Sequence, residues 1–377
     1  MPEYKKQHYV PKFYLKQFSQ DKQYICNYLI KSKKSFENKI KNLGHSDYFY
    51  GKNYGSLELE KKLGQIEQED SKILGVLIDK QNLNFLTKKD YHYLLSFVML
   101  QYTRTKDAKT TANKFIDLFV DKYIKPMMKS EFKDYTEEYI DSLKITSPDF
   151  FKYPMLIALT EGILGICDLK PILIINKSNR KFITSDAPIA INNNIKINNL
   201  SLTGFQSPGL QIFCPLNKDI LLLLIDSNLY NIKMDADSII YLNMDSNADS
   251  INKLQFFNCL DNVFFSEKED ESYVRNLHLE VEKLINEKEC KLDILNKKYR
   301  KDGTYSEIHS IHMENINYGL KFSFIKLNHD NNRRLKGSFK RSKRTSEVVL
   351  PIRNRKIVDE INLLHEKSEK FKSKYEI

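Results

Sequence analysis

The chain has 377 residues and carries 60 Lys plus Arg against 49 Asp plus Glu, a formal charge of +11, which favours an anionic partner, nucleic acid before others. That length supports a sizeable core, and its 22 Tyr and 22 Phe must fill much of it because Trp is absent. The five cysteines, Cys26, Cys167, Cys214, Cys259 and Cys290, form no CxxC pair, which excludes a zinc-finger spacing, and no apolar run approaches the roughly 20 residues that cross a bilayer.

The start lacks an apolar leader, so the expectation is a cytoplasmic protein with no membrane partner. The first informative stretch is residues 7–18, QHYVPKFYLKQF. Pro11 fixes its own φ and holds the residue before it extended, so His8, an imidazole that titrates near neutral pH, sits beside a rigid turn. His8 is then either a proton-transfer group or a hydrogen-bonded structural imidazole, with Phe13, Tyr14 and Phe18 as core.

Leu59, Leu63, Ile66, Ile73, Leu74 and Leu77 recur at helical spacing and predict an amphipathic helix over 56–78. Thr87 before Asp90 signals the start of a second helix that runs past Arg104. Further helices are expected over 109–128, 135–143 and 150–164. After Asp168 the pattern shifts to short strands over 171–176, 181–184, 210–213, 219–226, 239–243 and 262–266, with a helix over 245–257. One long charged helix is expected over 267–299, then strands over 306–311 and 318–327 and a closing helix over 358–375.

This is an α+β fold with a helical N-terminal half, a strand-rich middle holding a mixed or antiparallel sheet, and a helical, basic C-terminal extension. The expected boundaries are 1–266 for the main domain, 267–300 for the long helix and 301–377 for the basic extension.

Three groups of residues carry candidate chemistry. Glu60 and Glu67 lie seven apart, nearly two turns, and project from one helix face, where they suit a base, a metal pair or merely a solvated face. Gln101 and Arg104 share the next helix face, and the planar guanidinium fork fits either a phosphate or the carboxylate of Glu60 or Glu67. Thr184, Ser185, Asp186, Ala187 and Pro188 end a strand in a polar turn, which serves a site or caps local backbone N–H groups.

In this order, QHYVPKFYLKQF, LEKKLGQIE, LQYTR and FITSDAP resemble the bacterial domain of unknown function 4238 family over about residues 4–267. The matching positions are Gln7, His8, Pro11, Tyr14, Leu15, Phe18, Glu60, Glu67, Gln101, Arg104, Thr184, Ser185, Asp186, Pro188, Pro215 and Leu216. Thr105 and Lys106 stand where such families carry a proline after the arginine.

The resemblance implies a shared pocket. His8, Glu60, Glu67 and Asp186 would be catalytic, the three carboxylates doubling as ligands should a divalent metal be the cofactor. Gln7, Gln101, Arg104 and Ser185 would bind substrate. The expected function is a nuclease, in a bacterial toxin or antiphage effector. The alternatives are a non-catalytic nucleic-acid-binding protein and a hydrolase of a nucleotide cofactor. The metal and the oligomeric state stay open.

Outside the resemblance, Arg333, Arg334, Lys336, Lys340, Arg341, Lys343 and Arg344 form a basic run that either suits sequence-blind binding of a phosphate backbone or is a solvated tail. His309 and His312 lie three apart in an expected strand and so point to opposite faces, which argues against a shared metal.

Overall fold

The computed structural model describes residues 5–52, 54–144, 152–197, 200–201, 204–284, 290–299, 305–313, 320–328 and 341. It is a mixed α+β protein, and its N-terminus begins with strands rather than helices. A short strand β1 (Lys6–His8) leads through Pro11 into a single helical turn α1 (Lys12–Leu15), followed by a hairpin of β2 (Tyr24–Leu29) and β3 (Lys34–Lys39) and by β4 (His45–Asp47).

β1 and β4 pair antiparallel with His8 opposite His45. Gly44 makes that turn possible: its φ is +62°, and a Cβ there would lie 2.9 Å from the Cβ of Val10. Its carbonyl accepts the N–H groups of both Tyr9 and Val10.

Two long helices follow, α2 (Tyr54–Lys80) and α3 (Lys88–Thr103). The expected start of α3 is a full capping box, in which the Thr87 hydroxyl accepts the Asp90 N–H while the Asp90 carboxylate accepts the Thr87 N–H. The chain continues through α4 (Lys106–Phe119), α5 (Lys125–Glu131), α6 (Glu137–Ser142), α7 (Lys152–Ile157) and α8 (Ile163–Ile166). Thr105 caps α4 through the Ala108 N–H, so the departure from proline after Arg104 ends one helix and starts another.

The strand-rich middle holds β5 (Lys170–Asn176), β6 (Thr184–Ser185), β7 (Ala190–Asn192), the small pair β8 (Lys196–Ile197) and β9 (Leu200–Ser201), β10 (Gln211–Pro215), β11 (Ile220–Ile225), β12 (Tyr230–Ile232) and β13 (Ile239–Leu242). The central sheet runs β13-β5-β11-β10-β7 and is antiparallel except where β13 lies parallel to β5. Every residue of β11 is buried because both sheet faces are covered. Ile220, Leu222 and Leu224 enter the core shared with α2 and α3, while Leu221, Leu223 and Ile225 enter a second core with Ile251, Leu254 and Phe322.

The helix α9 (Asp245–Asn258) and strand β14 (Asn262–Phe265) complete a second sheet, β3-β2-β14-β6, against which α10 (Glu271–Glu282) packs Val274, Leu277 and Val281. The expected long helix over 267–299 is therefore corrected: α10 ends at Glu282, and Cys290–Tyr299 is a strand, β15, paired with β16 (Tyr305–Met313). Leu292 and Ile294 sit two apart, which is a strand period that helical spacing over the whole segment obscured. A last strand β17 (Ile325–Leu327) pairs with β12. The expected closing helix over 358–375 lies outside the described residues.

Tyr14 ties the N-terminal motif to the sheet. Its buried hydroxyl bonds Thr184 Oγ1 at 2.8 Å and donates to the Pro215 carbonyl at 2.7 Å. Three of the family-like motifs therefore meet at one phenol. Tyr14→Phe leaves that carbonyl and hydroxyl short of a partner and should destabilise the protein by about 1–3 kcal/mol, read as a lower urea midpoint with an unchanged slope.

Candidate functional site

The site forms where β1, β4, the loop after β4, α2 and the end of α3 meet. Arg104, the C-cap of α3, is fully buried and is the hub. Its Nη1 donates to Glu67 Oε1 at 2.7 Å. In the amide orientation that satisfies both groups, Gln101 Oε1 accepts Arg104 Nε at 2.7 Å and Nη2 at 2.6 Å. The i, i+3 spacing on one helix face makes this second contact geometrically direct. Burial opposes the guanidinium charge, yet Glu67, Tyr50 and Asp70 outweigh it and raise the Arg104 pKa above its ordinary value.

Around this hub lie side chains whose polar atoms have nothing to bond. His8 Nε2, His45 Nδ1, Glu60 Oε2 and both carboxyl oxygens of Asp70 are buried and without a partner among the described residues. The two imidazole rings are 5.2 Å apart. Such atoms are costly in a folded interior, and their grouping in one place singles this cluster out as the candidate site.

Electrostatics divide the four residues. Burial, then Lys12, His45, Arg104 and Lys6, push the His8 imidazole down to about 3, so it is neutral at physiological pH. Burial and Lys6 also lower His45. Glu60 is pushed up to about 7 by burial and by Glu67, against the pull of Arg104, the His8 backbone N–H and Lys12. Asp70 is pushed up to about 7 by burial, with Glu67 and Glu69 adding to it against Arg104.

The sequence missed Asp70, His45, Tyr50 and Lys12. Asp70 follows Glu67 by three residues on α2, a spacing that does put two carboxylates on neighbouring positions of a helix. Nothing in the sequence pairs His45 with His8; only strand register does. Tyr50 is fully buried, donates to the His8 carbonyl at 3.0 Å, and is driven to a higher pKa first by burial. Lys12 is exposed, and its charge reaches both His8 and Glu60.

Several expected site residues do other work. Gln7 is sealed in and holds the loop after β4, accepting the Tyr50 N–H at 2.6 Å and donating to the Gly51 carbonyl at 3.2 Å. Asp186 accepts the N–H groups of Leu260, Asp261 and Asn262 at 2.8–3.0 Å. Burial raises its pKa to about 6 while those bonds resist the rise. Both of its oxygens are engaged, and none of its hydrogen-bond partners belongs to the Arg104 cluster. Ser185 bonds Gln255 at 3.0 Å and caps the Ala187 N–H. Asp186 and Ser185 are thus the fasteners of the TSDAP turn, the local-bonding alternative of the sequence reading.

Gln101 and Arg104, expected to bind substrate, are both fully buried and bonded to each other. Asp186 does not join Glu60 and Glu67 as a third carboxylate. Among the described residues no group of three or more His, Cys, Asp or Glu is placed to hold a metal ion.

Of the basic run, Arg333, Arg334, Lys336, Lys340, Lys343 and Arg344 lie outside the described residues. Arg341 is turned inward: its Nε bonds both Asp168 oxygens at 3.1 Å, and its Nη atoms reach the carbonyls of Phe205 and Gly165. With 4% of its surface exposed, it is withdrawn from the proposed backbone-binding set. His309 bonds Tyr123 and Glu307.

Asp70 has a measurable pH signature. A carboxyl whose pKa is raised from 3.8 to about 7 by folding holds its proton more tightly folded than unfolded, so its stabilising contribution is full below 3.8 and lost as pH rises to about 7. Asp70→Asn removes the charge and should stabilise the protein by on the order of 2 kcal/mol at pH 8, with no gain at pH 4. Melting temperatures across that range test this; an equal loss at both pH values would contradict it.

The frame and the cluster together define an α+β domain in which a histidine-bearing ribbon closes over a carboxylate-rich helix held by a buried arginine. The chain belongs to the DUF4238 family, described as a protein of unknown function, whose family model matches residues 6–269. No curated protein and no solved structure matches the chain. No helix among the described residues is long and apolar enough to cross a membrane.

Proposed function

We propose that this protein is a nuclease that cleaves phosphodiester bonds by proton transfer, with His8 as acceptor and Glu60 as donor. The observation that carries the reading is the set of buried atoms on His8, His45, Glu60 and Asp70 that have no partner among the described residues, around one arginine. An acid and a base with well-separated pKa values are what such a reaction needs. At neutral pH His8 is unprotonated and Glu60 is divided between its two forms.

A bound phosphate would add negative charge beside the cations that now depress His8, lifting the imidazole pKa and making it a stronger base once substrate is seated. Lys12 and Lys6, both exposed, are the contacts for that phosphate, and the buried charge of Arg104 supports them from behind. The overall charge of +11 brings a polyanion to the surface.

The test is cleavage of end-labelled RNA and DNA by the full chain, beside Glu60→Gln purified identically. Cleavage by the native protein and its loss in the variant support the reading. Equal cleavage by both assigns the activity elsewhere, and none by either defeats it.

A further inference from the structure

Beyond residue 319 the described residues seat the C-terminal extension on the rest of the chain in two places of different chemistry. The first is apolar. Phe322, Phe324 and Ile325 are buried in the second core, Phe322 stacks on Phe213 with ring centroids 5.0 Å apart, and β17 pairs with β12. Seating of that kind belongs to a core and comes apart only with it.

The second place is polar throughout. Arg341 Nε donates to both oxygens of Asp168 at 3.1 Å, and Nη2 reaches Asp168 again and the Gly165 carbonyl. Nη1 donates to the Phe205 carbonyl at 2.7 Å, and the Arg341 backbone N–H donates to the Gln206 carbonyl at 3.1 Å. Each partner is an acceptor: a carboxylate, two loop carbonyls, and a carbonyl in the last turn of α8, where helix carbonyls draw a cation. Gly165 makes the loop's approach possible, because a Cβ there would lie 3.1 Å from the Cβ of Phe205, inside an ordinary carbon contact. Asp226 is near enough for the charge of Arg341 to act on it. A planar fork with five donors fills such a set, and a compact ammonium does not.

We infer that Asp168, Gly165 and the carbonyls of Phe205 and Gln206 form an arginine-recognition site, which the chain's own C-terminal segment closes as a releasable latch. Opening it returns one guanidinium and one carboxylate to water, and the hydration regained offsets most of the attraction lost. Opening the first attachment would instead expose three core side chains. The latch therefore lets go while β17 stays paired. Release returns Arg341 to a run in which Lys340, Lys343 and Arg344 are its neighbours in sequence, so the latch sets how much charge that run offers a phosphate backbone.

The test is a trypsin digest of the full chain under native conditions, followed by mass spectrometry. Trypsin must take the Arg341 side chain into its own specificity site, so a closed latch protects the bond after Arg341. Asp168→Asn keeps that cutting site and weakens the latch. It should speed cleavage after Arg341 at least ~10-fold, with cleavage after Lys321 and Lys326 unchanged. Arg341→Lys is also a trypsin site but lacks the fork, and it too should be cut faster than the native chain; it carries the test should Asp168→Asn fold poorly. Equal rates after residue 341 in the native chain and in the folded variants would overturn the latch. A parallel rise after Lys321 and Lys326 would overturn it as well, because the extension would then let go as one piece.

Discussion

Arg104→Met should lower the unfolding free energy by about 3–5 kcal/mol, the range for removing one partner of a buried ion pair. The guanidinium has no exposed surface and bonds Glu67 and Gln101, and its charge acts on His8, Glu60, Asp70 and Tyr50 as well. Without it, Glu67 keeps a carboxylate that is only partly exposed, and Asp70 loses the one cation that opposes its high pKa. Arg104→Lys keeps the charge but not the planar fork, so it should fall between the native protein and Met. Urea melts at pH 7 measure this. A loss under about 1 kcal/mol would mean that the hub does not organise the cluster.

The second large effect is on turnover rather than on folding. His8→Ala and Glu60→Gln should each reduce cleavage by about 10^2–10^4-fold, the usual contribution of a positioned acid or base. Neither His8 Nε2 nor Glu60 Oε2 bonds anything among the described residues, and the contact of the Glu60 carboxylate with the His8 backbone N–H is one that the glutamine oxygen and the alanine backbone can keep, so melting temperatures should stay near the native value. Because both groups act in one step, the double variant should be little worse than either single one. Asp186→Asn gives the opposite pattern. It disturbs an acceptor of three backbone N–H groups and should lower stability, with turnover per folded molecule unchanged. If Asp186→Asn removed activity in a fully folded protein while His8→Ala did not, the site would have to be redrawn around the TSDAP turn.

The sequence made some of this architecture legible, and the reasons are specific. β11 is an unbroken apolar run because both its faces are covered, whereas a strand with one face in water would alternate apolar and polar residues. Thr87 and Asp90 announce α3 because a capping box is a local device that needs no distant residue. Glu67 and Arg104 were legible as candidate partners from helix spacing and charge alone. The N-terminal strands were not, since β1 and β4 are three residues each and polar, with no alternation to read.

That gap hid the site's most useful fact. His45 faces His8 only because Gly44 lets the chain turn back on Val10, and no spacing in the sequence encodes it. Asp186 misled for a related reason. A conspicuous acidic turn residue looks catalytic until the N–H groups of residues 260–262 are seen to surround it.

The pH dependence of kcat/KM for phosphodiester cleavage reports the central proton transfer most directly. Glu60 must be protonated to donate, and burial holds its pKa near 7, so the native rate should fall as pH rises through about 7. The Glu60→Gln protein should keep only a residual rate without that inflection. A native rate that is flat or rising through pH 7, or an inflection that survives in Glu60→Gln, would contradict the account.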